Sequence, residues 1–286
     1  MCSAMPSWTK SQGDEPAPGS KPRRPQRPPV PSALPLPEGE AAIKPGKAGP
    51  RIDKLMDLAQ RALEETHYFE CEHACLEALG LAHAARDYER MARILLPLQE
   101  ARRQIRLLAV DTKKLFALSE PVAEDAPIKP GCYLIEPPLV GADARDLHDR
   151  ATREEIPVMV LAREPAVKTV KLDRRPGDWP VVLIGPVTVR AYVPPPAKDK
   201  PTLEWYLGAC EALGDRAIAD ADHEADPFGL VEDLYERFQT ISDHEKLHQA
   251  LEAACRAAAV EAAKPQPKRS KGPVVEDDFP PDPEDE

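Results

Sequence analysis

The sequence predicts an α+β protein in which helical hairpins flank a small α/β sheet unit, between disordered Pro-rich N- and C-terminal tails. Three observations predict it. Apolar residues recur at spacings of three and four through 52–118 and again through 201–263, the period of a helix with one buried face. Short β-branched runs bounded by Pro and Gly fill 126–196, the pattern of strands. Proline is concentrated at the ends, with 12 of its 34 residues in 1–50 and 6 in 265–286. Such segments bury too little apolar surface to offset the entropy of ordering. The implied organisation is a tail over 1–50, hairpins over 51–120, the sheet unit over 126–196, a helical region over 201–263 and a charged tail over 264–286.

Each element has its own signal. Leu55, Leu58, Ala59, Ala62 and Leu63 make a first helical stripe, and Glu65-Thr66-His67 a break. A second stripe follows through Tyr68, Cys71, Ala74, Cys75, Ala78, Leu79 and Ala82. Asp87-Tyr88 opens a third helix through Met91, Ala92, Leu95 and Leu96, which Pro97 is expected to end or kink. A fourth helical stretch is expected over roughly 99–118. Cys132–Ile135 and Ile156–Ala162 read as strands around a helix over 142–155 with Asp143 as its N-cap. If parallel, these strands form a right-handed crossover unit. Thr169–Leu172 alternates weakly, and Val181–Ile184 and Val187–Val193 read as strands with a bend or hairpin at Gly185-Pro186. Beyond Pro194-Pro195-Pro196, a helix from Leu203 is expected to stop at Gly214, with Asp215 starting the next. Asp226-Pro227 starts another, and Ser242 or Asp243 caps the last.

Charge and cysteine usage narrow the function classes. The net charge is −11, and the part between the tails carries all of it, because the N-terminal tail at +3 and the C-terminal tail at −3 cancel. An acidic body lacks the basic face that nucleic acid or an anionic membrane requires. No apolar run reaches the length of a membrane span, and the first residues lack a secretory pattern. None of the six cysteines forms a C-x-x-C pair, so they read as reduced core residues of a cytoplasmic protein.

One resemblance lies in the helical stripes. Leu55-x2-Leu58-Ala59-x2-Ala62 followed by Tyr68-x2-Cys71-x3-Cys75-x2-Ala78-Leu79 resembles a degenerate tetratricopeptide repeat. Tyr88-x2-Met91-Ala92-x2-Leu95 restarts the pattern 33 residues after Leu55, close to that family's period of about 34. The resemblance covers about one and a half repeats over 52–118, fewer than the roughly three that a stable array needs, so helical hairpins are the expectation. It implies a protein-binding surface, with Tyr68, Tyr88 and Met91 as candidate anchors in the surface or the core.

Candidate chemistry is sparse. His244-Glu245-Lys246-Leu247-His248 is an H-E-x-x-H run and resembles the zinc metallopeptidases. By that resemblance His244 and His248 would ligate zinc and Glu245 would polarise the metal-bound water. A third ligand would have to come from upstream, with Asp215, Glu224 and Asp226 as candidates. Without one, the pair is two histidines on a solvated helix face. His67, Cys71 and Cys75 share another helix face, yet i and i+8 stand about 12 Å apart and cannot meet at one ion without help from a residue such as His83. The Pro137–Asp143 loop is an ordinary connection, and Pro22-Arg23-Arg24-Pro25-Gln26-Arg27 matches a P-x-x-P-x-R pattern. The leading expectation is a noncatalytic interaction or scaffold protein with protein partners and no cofactor. The alternative is a zinc-dependent hydrolase using His244, Glu245 and His248.

Overall fold

A computed structural model describes residues 45–165 and 177–264. The polyproline-type motif at 22–27, the alternating run at 169–172, Cys2 and the C-terminal tail lie outside the described residues. Among the described residues, seven α-helices and a five-stranded sheet make a mixed α/β architecture. The helices are α1 (Pro45–Glu64), α2 (Tyr68–Ala84), α3 (Tyr88–Asp111), α4 (Gly141–Arg153), α5 (Leu203–Ala219), α6 (Pro227–Thr240) and α7 (Glu245–Ala262). The strands are β1 (Leu115–Leu118), β2 (Gly131–Ile135), β3 (Val158–Arg163), β4 (Trp179–Ile184) and β5 (Thr188–Val193).

The first three helices form consecutive hairpins joined by three-residue turns. Both turns are Schellman closures without glycine. The His67 amide donates to the Ala62 carbonyl and that of Asp87 to Ala82, while Thr66 and Arg86 take left-handed backbone at φ 63° and 52°. Of the cysteines expected in the core, Cys71 and Cys75 are fully buried in α2, as are Cys132 and Cys255 elsewhere, while Cys210 is only partly buried. Tyr88 and Met91 are also core residues, whereas Tyr68 stays half-buried at the surface.

Local expectations fail at several points, each for a tertiary reason. The N-terminal tail was expected to reach residue 50, but α1 starts at Pro45 and Ala48 is already buried. Of the two outcomes expected at Pro97, an end or a kink, the end does not occur, since α3 runs on to Asp111. The Pro97 neighbours Met91, Ile94, Leu95 and Leu98 are each at most 1% exposed. Burying four such side chains contributes roughly 6–12 kcal/mol, against about 3 kcal/mol for an interior proline. The stretch expected as helix to residue 118 instead ends at Asp111, turns at Lys113 (φ 55°) and continues as β1. Asp143 is not the N-cap of α4. It sits in the first turn, where its Oδ2 accepts from the Val140 amide at 2.8 Å. Asp226 does cap α6, accepting from the Phe228 and Gly229 amides.

The sheet order is β1-β2-β3-β4-β5, with β1, β2 and β3 parallel and β4 and β5 added antiparallel. Alternation assigns its two faces. Cys132, Leu134, Met159 and Leu161 join the core shared with the hairpin helices, and α3 and α5 cover that side. Tyr133, Ile135, Val158, Val160 and Ala162 face α4 through Ala144, Leu147 and Ala151. All five residues of β2 are buried, as expected of a parallel strand covered on both faces. Helix α7 lies against α3 and α6, so the second helical region closes onto the first.

The packed face of α2 supplies a direct test. Cys75→Trp overfills a site with no exposed surface and should cost about 1–3 kcal/mol in urea denaturation. Glu77→Ala, on the exposed face where Glu77 holds Arg51 at 2.6 Å, should change stability by less than about 1 kcal/mol. Equal, small effects would mean that the α2 face is assigned the wrong way round.

Candidate functional site

The H-E-x-x-H residues belong to a buried polar cluster, and the solvated helix face expected for them is not what the fold provides. His244 is 3% exposed and His248 1%. His244 is the N-cap of α7, the position expected for Ser242 or Asp243, and His248 lies one turn inside. Glu245, between them, is half-exposed.

The surroundings of His248 fix its chemistry. Its Nδ1 stands 3.0 Å from the His244 carbonyl oxygen and its Nε2 3.5 Å from Arg102 Nη1. A carbonyl only accepts and a guanidinium only donates, so the ring is the neutral tautomer protonated at Nδ1. Burial, reinforced by the Arg102 charge, holds its pKa down at about 3, against the opposing pull of the His244 carbonyl. The Phe238 ring meets it edge-on at 4.8 Å.

Arg102 is the centre of this cluster. It is 7% exposed, and its Nε donates to Glu72 Oε1 at 2.7 Å. Its Nη1 donates to the Ser242 carbonyl at 3.4 Å, and its guanidinium lies 4.7 Å over the Phe238 ring. One side chain of α3 therefore ties α2, α6, the α6–α7 turn and α7 together. Sequence reasoning missed Glu72 and Arg102. The signal was present, because Arg102 falls four residues after Leu98 and seven after Leu95, on the apolar stripe of α3.

His244 is placed differently. Neither ring nitrogen has a hydrogen-bond partner, although Nε2 faces Asp215 Oδ1 at 3.4 Å and Glu211 Oε2 at 3.6 Å. Both carboxylates are engaged by Lys246, Asp215 at 2.8 Å and Glu211 at 3.7 Å. Burial lowers the His244 pKa, and the two carboxylates oppose that shift. The ring lies against the backbone of α5: a Cβ on Gly214 would sit 2.1 Å from His244 Cγ. Gly214 is therefore not a helix stop and Asp215 starts no new helix. Helix α5 runs on to Ala219, with Gly214 as the gap that admits His244.

This arrangement does not fit zinc. His248 spends Nδ1 on a backbone carbonyl and turns Nε2 to a guanidinium, while the His244 ring faces α5. Both His248 nitrogens are thus committed, and Glu245 is half-exposed between the two histidines. Among the described residues no group of three or more His, Cys, Asp or Glu side chains is placed to hold a metal ion. The second ligand idea fares similarly, since Cys71 and Cys75 are buried while His67 is exposed at the N-cap of α2, and His83 pairs with Glu232 at 2.8 Å.

A second feature opens at the surface. Where the α1–α2 hairpin meets the end of α3, a groove of about 630 Å³ is lined by Leu55, Leu58, Tyr68, Phe69 and Leu108 together with polar residues that include His67 and His73. Leu108 is 47% exposed and its neighbour Leu107 is 40% exposed. No family model, curated protein or solved structure matches this chain.

The His248 geometry predicts a pH dependence. Its folded-state pKa lies below the unfolded value of about 6.5, so the unfolded chain takes up the proton first. The stability it contributes is full above about pH 6.5 and is lost as pH falls toward 3, by up to about 1.4 kcal/mol per unit. Chemical denaturation at pH 7 and pH 5 should show a smaller loss for His248→Gln than for the parent chain. Parallel losses would show that His248 is protonated without penalty in the fold.

Proposed function

We propose that the protein is a noncatalytic interaction or scaffold protein, and that it binds a protein partner through the groove at the α1–α2 hairpin. The observation that carries this reading is the gathering of Leu55, Leu58, Tyr68, Phe69 and Leu108 around one open concavity. Apolar surface of this kind is costly to leave in water and marks interaction sites in folded proteins. The ionisable groups away from it serve packing. His248, Arg102 and Glu72 are held by one another or by neighbouring backbone, and the His244 ring packs against α5 at Gly214. No helix among the described residues is long and apolar enough to cross a membrane. The five described cysteines are free thiols, which suits a cytoplasmic setting.

The test is partner recovery from the native cells with the full chain and with groove variants. Leu58→Glu combined with Phe69→Glu should abolish recovery of a specific partner while far-UV circular dichroism stays unchanged. Leu108→Glu, at a side chain already half in solvent, should weaken recovery with no loss of melting temperature. An identical partner set with all variants would remove the groove from the account. Hydrolytic activity lost on Glu245→Gln would replace the noncatalytic reading with the enzymatic one.

A further inference from the structure

The groove has a charge pattern as well as apolar lining residues. Three carboxylates, Glu70, Glu77 and Glu155, stand in its lining, and among the described residues no Lys or Arg lines it. Glu77 is already held by Arg51 at 2.6 Å. Glu70 faces His67, also in the lining, at 3.7 Å, and both Glu70 and Glu155 are exposed. Glu155 is projected there by the Schellman end of α4, where it takes left-handed backbone at φ 52° and the Ile156 amide donates to the Ala151 carbonyl. The whole chain carries −11, so the local charge and the long-range field have the same sign.

Resting on the interaction reading above, we propose that the occupant of this groove is a basic amphipathic peptide segment of a partner protein. Its apolar side chains would seat on Leu58, Phe69 and Leu108, and its Lys or Arg side chains would pair with Glu70 and Glu155. A volume of about 630 Å³ is within the size of sites that bury several apolar groups at once. Apolar anchors flanked by charge are the usual means by which a groove takes an amphipathic helix. The same carboxylates repel acidic peptides, nucleic acid and anionic lipid surfaces, since a like charge set opposite disfavours the wrong partner.

Three fluorescent 14-residue peptides test this on the full chain: one of Leu and Lys with a single apolar stripe, one with Glu for every Lys, and one with Ser for every Leu. Anisotropy should show binding of the Leu/Lys peptide, weakening with salt. Binding of the Leu/Glu and Ser/Lys peptides should be weaker by about tenfold or more. Glu70→Lys combined with Glu155→Lys should weaken the Leu/Lys peptide by a similar factor. Glu89→Lys combined with Glu204→Lys, exposed positions outside the groove, should leave it unchanged. Equal weakening by both charge-reversal pairs would mean diffuse attraction to an acidic protein and would overturn the proposal. Equal binding of the Leu/Glu peptide would overturn the basic partner and leave the groove as an interaction site. No binding of any peptide, with cellular partner recovery still lost on Leu58→Glu combined with Phe69→Glu, would likewise reject the partner class and retain the interaction function.

Discussion

The buried guanidinium of Arg102 is the constraint to which the helical part of the structure is fitted. A charge at 7% exposure is tolerated only with a paired carboxylate and full hydrogen bonding. Glu72 supplies the carboxylate from α2, the Ser242 carbonyl and His248 come from the α6–α7 turn and α7, and the Phe238 ring closes one face. These partners come from both sides of the sheet unit in sequence, up to 146 residues from Arg102. The position of α7 against α3 is thereby specified by polar geometry as well as by apolar packing. Truncating one side of such a pair leaves an uncompensated buried charge, so its cost exceeds the net worth of the pair.

That constraint also accounts for the H-E-x-x-H run. His248 is neutral because it must accept from Arg102, and His244 offers its carbonyl to His248 while its ring fills the gap over Gly214. Two histidines four residues apart on a helix share a face, and here the face is internal. The motif is explained by packing, and the groove by what the hairpins leave uncovered. A three-residue turn brings Tyr68 and Phe69 beside Leu55 and Leu58, and the last turns of α3 project Leu108 toward them.

Much of the fold was legible where a local period and a tertiary demand agree. The α2 stripe through Cys71, Cys75 and Leu79, the buried strands β2 and β3, the β4–β5 hairpin and the Asp226 cap all follow from spacing and turn chemistry. Where a local rule competes with packing, the sequence misleads. Pro97 and Gly214 have the form of helix stops, and each is carried through by burial around it. Strand β1 has four residues of which none is fully buried, too short a run to register against the helix before it. Helix ends at Thr66, Arg86 and Glu155 lack the glycine that usually marks them. The candidate site was partly legible: Tyr68, Leu55 and Leu58 stood in the helical stripes, but the contributions of Phe69, Leu108 and Glu155 depend on chain reversals that spacing does not encode.

The most direct measurement of the central claim is a double-mutant cycle on the buried pair, read by urea denaturation of the full chain. Arg102→Met alone should cost about 3–5 kcal/mol, because Glu72 is left charged and buried. Combining it with Glu72→Leu should recover part of that loss, giving a coupling energy above about 1 kcal/mol. Single effects that add to within about 0.5 kcal/mol would contradict the account, since Glu72 would then not be what compensates the buried Arg102 charge.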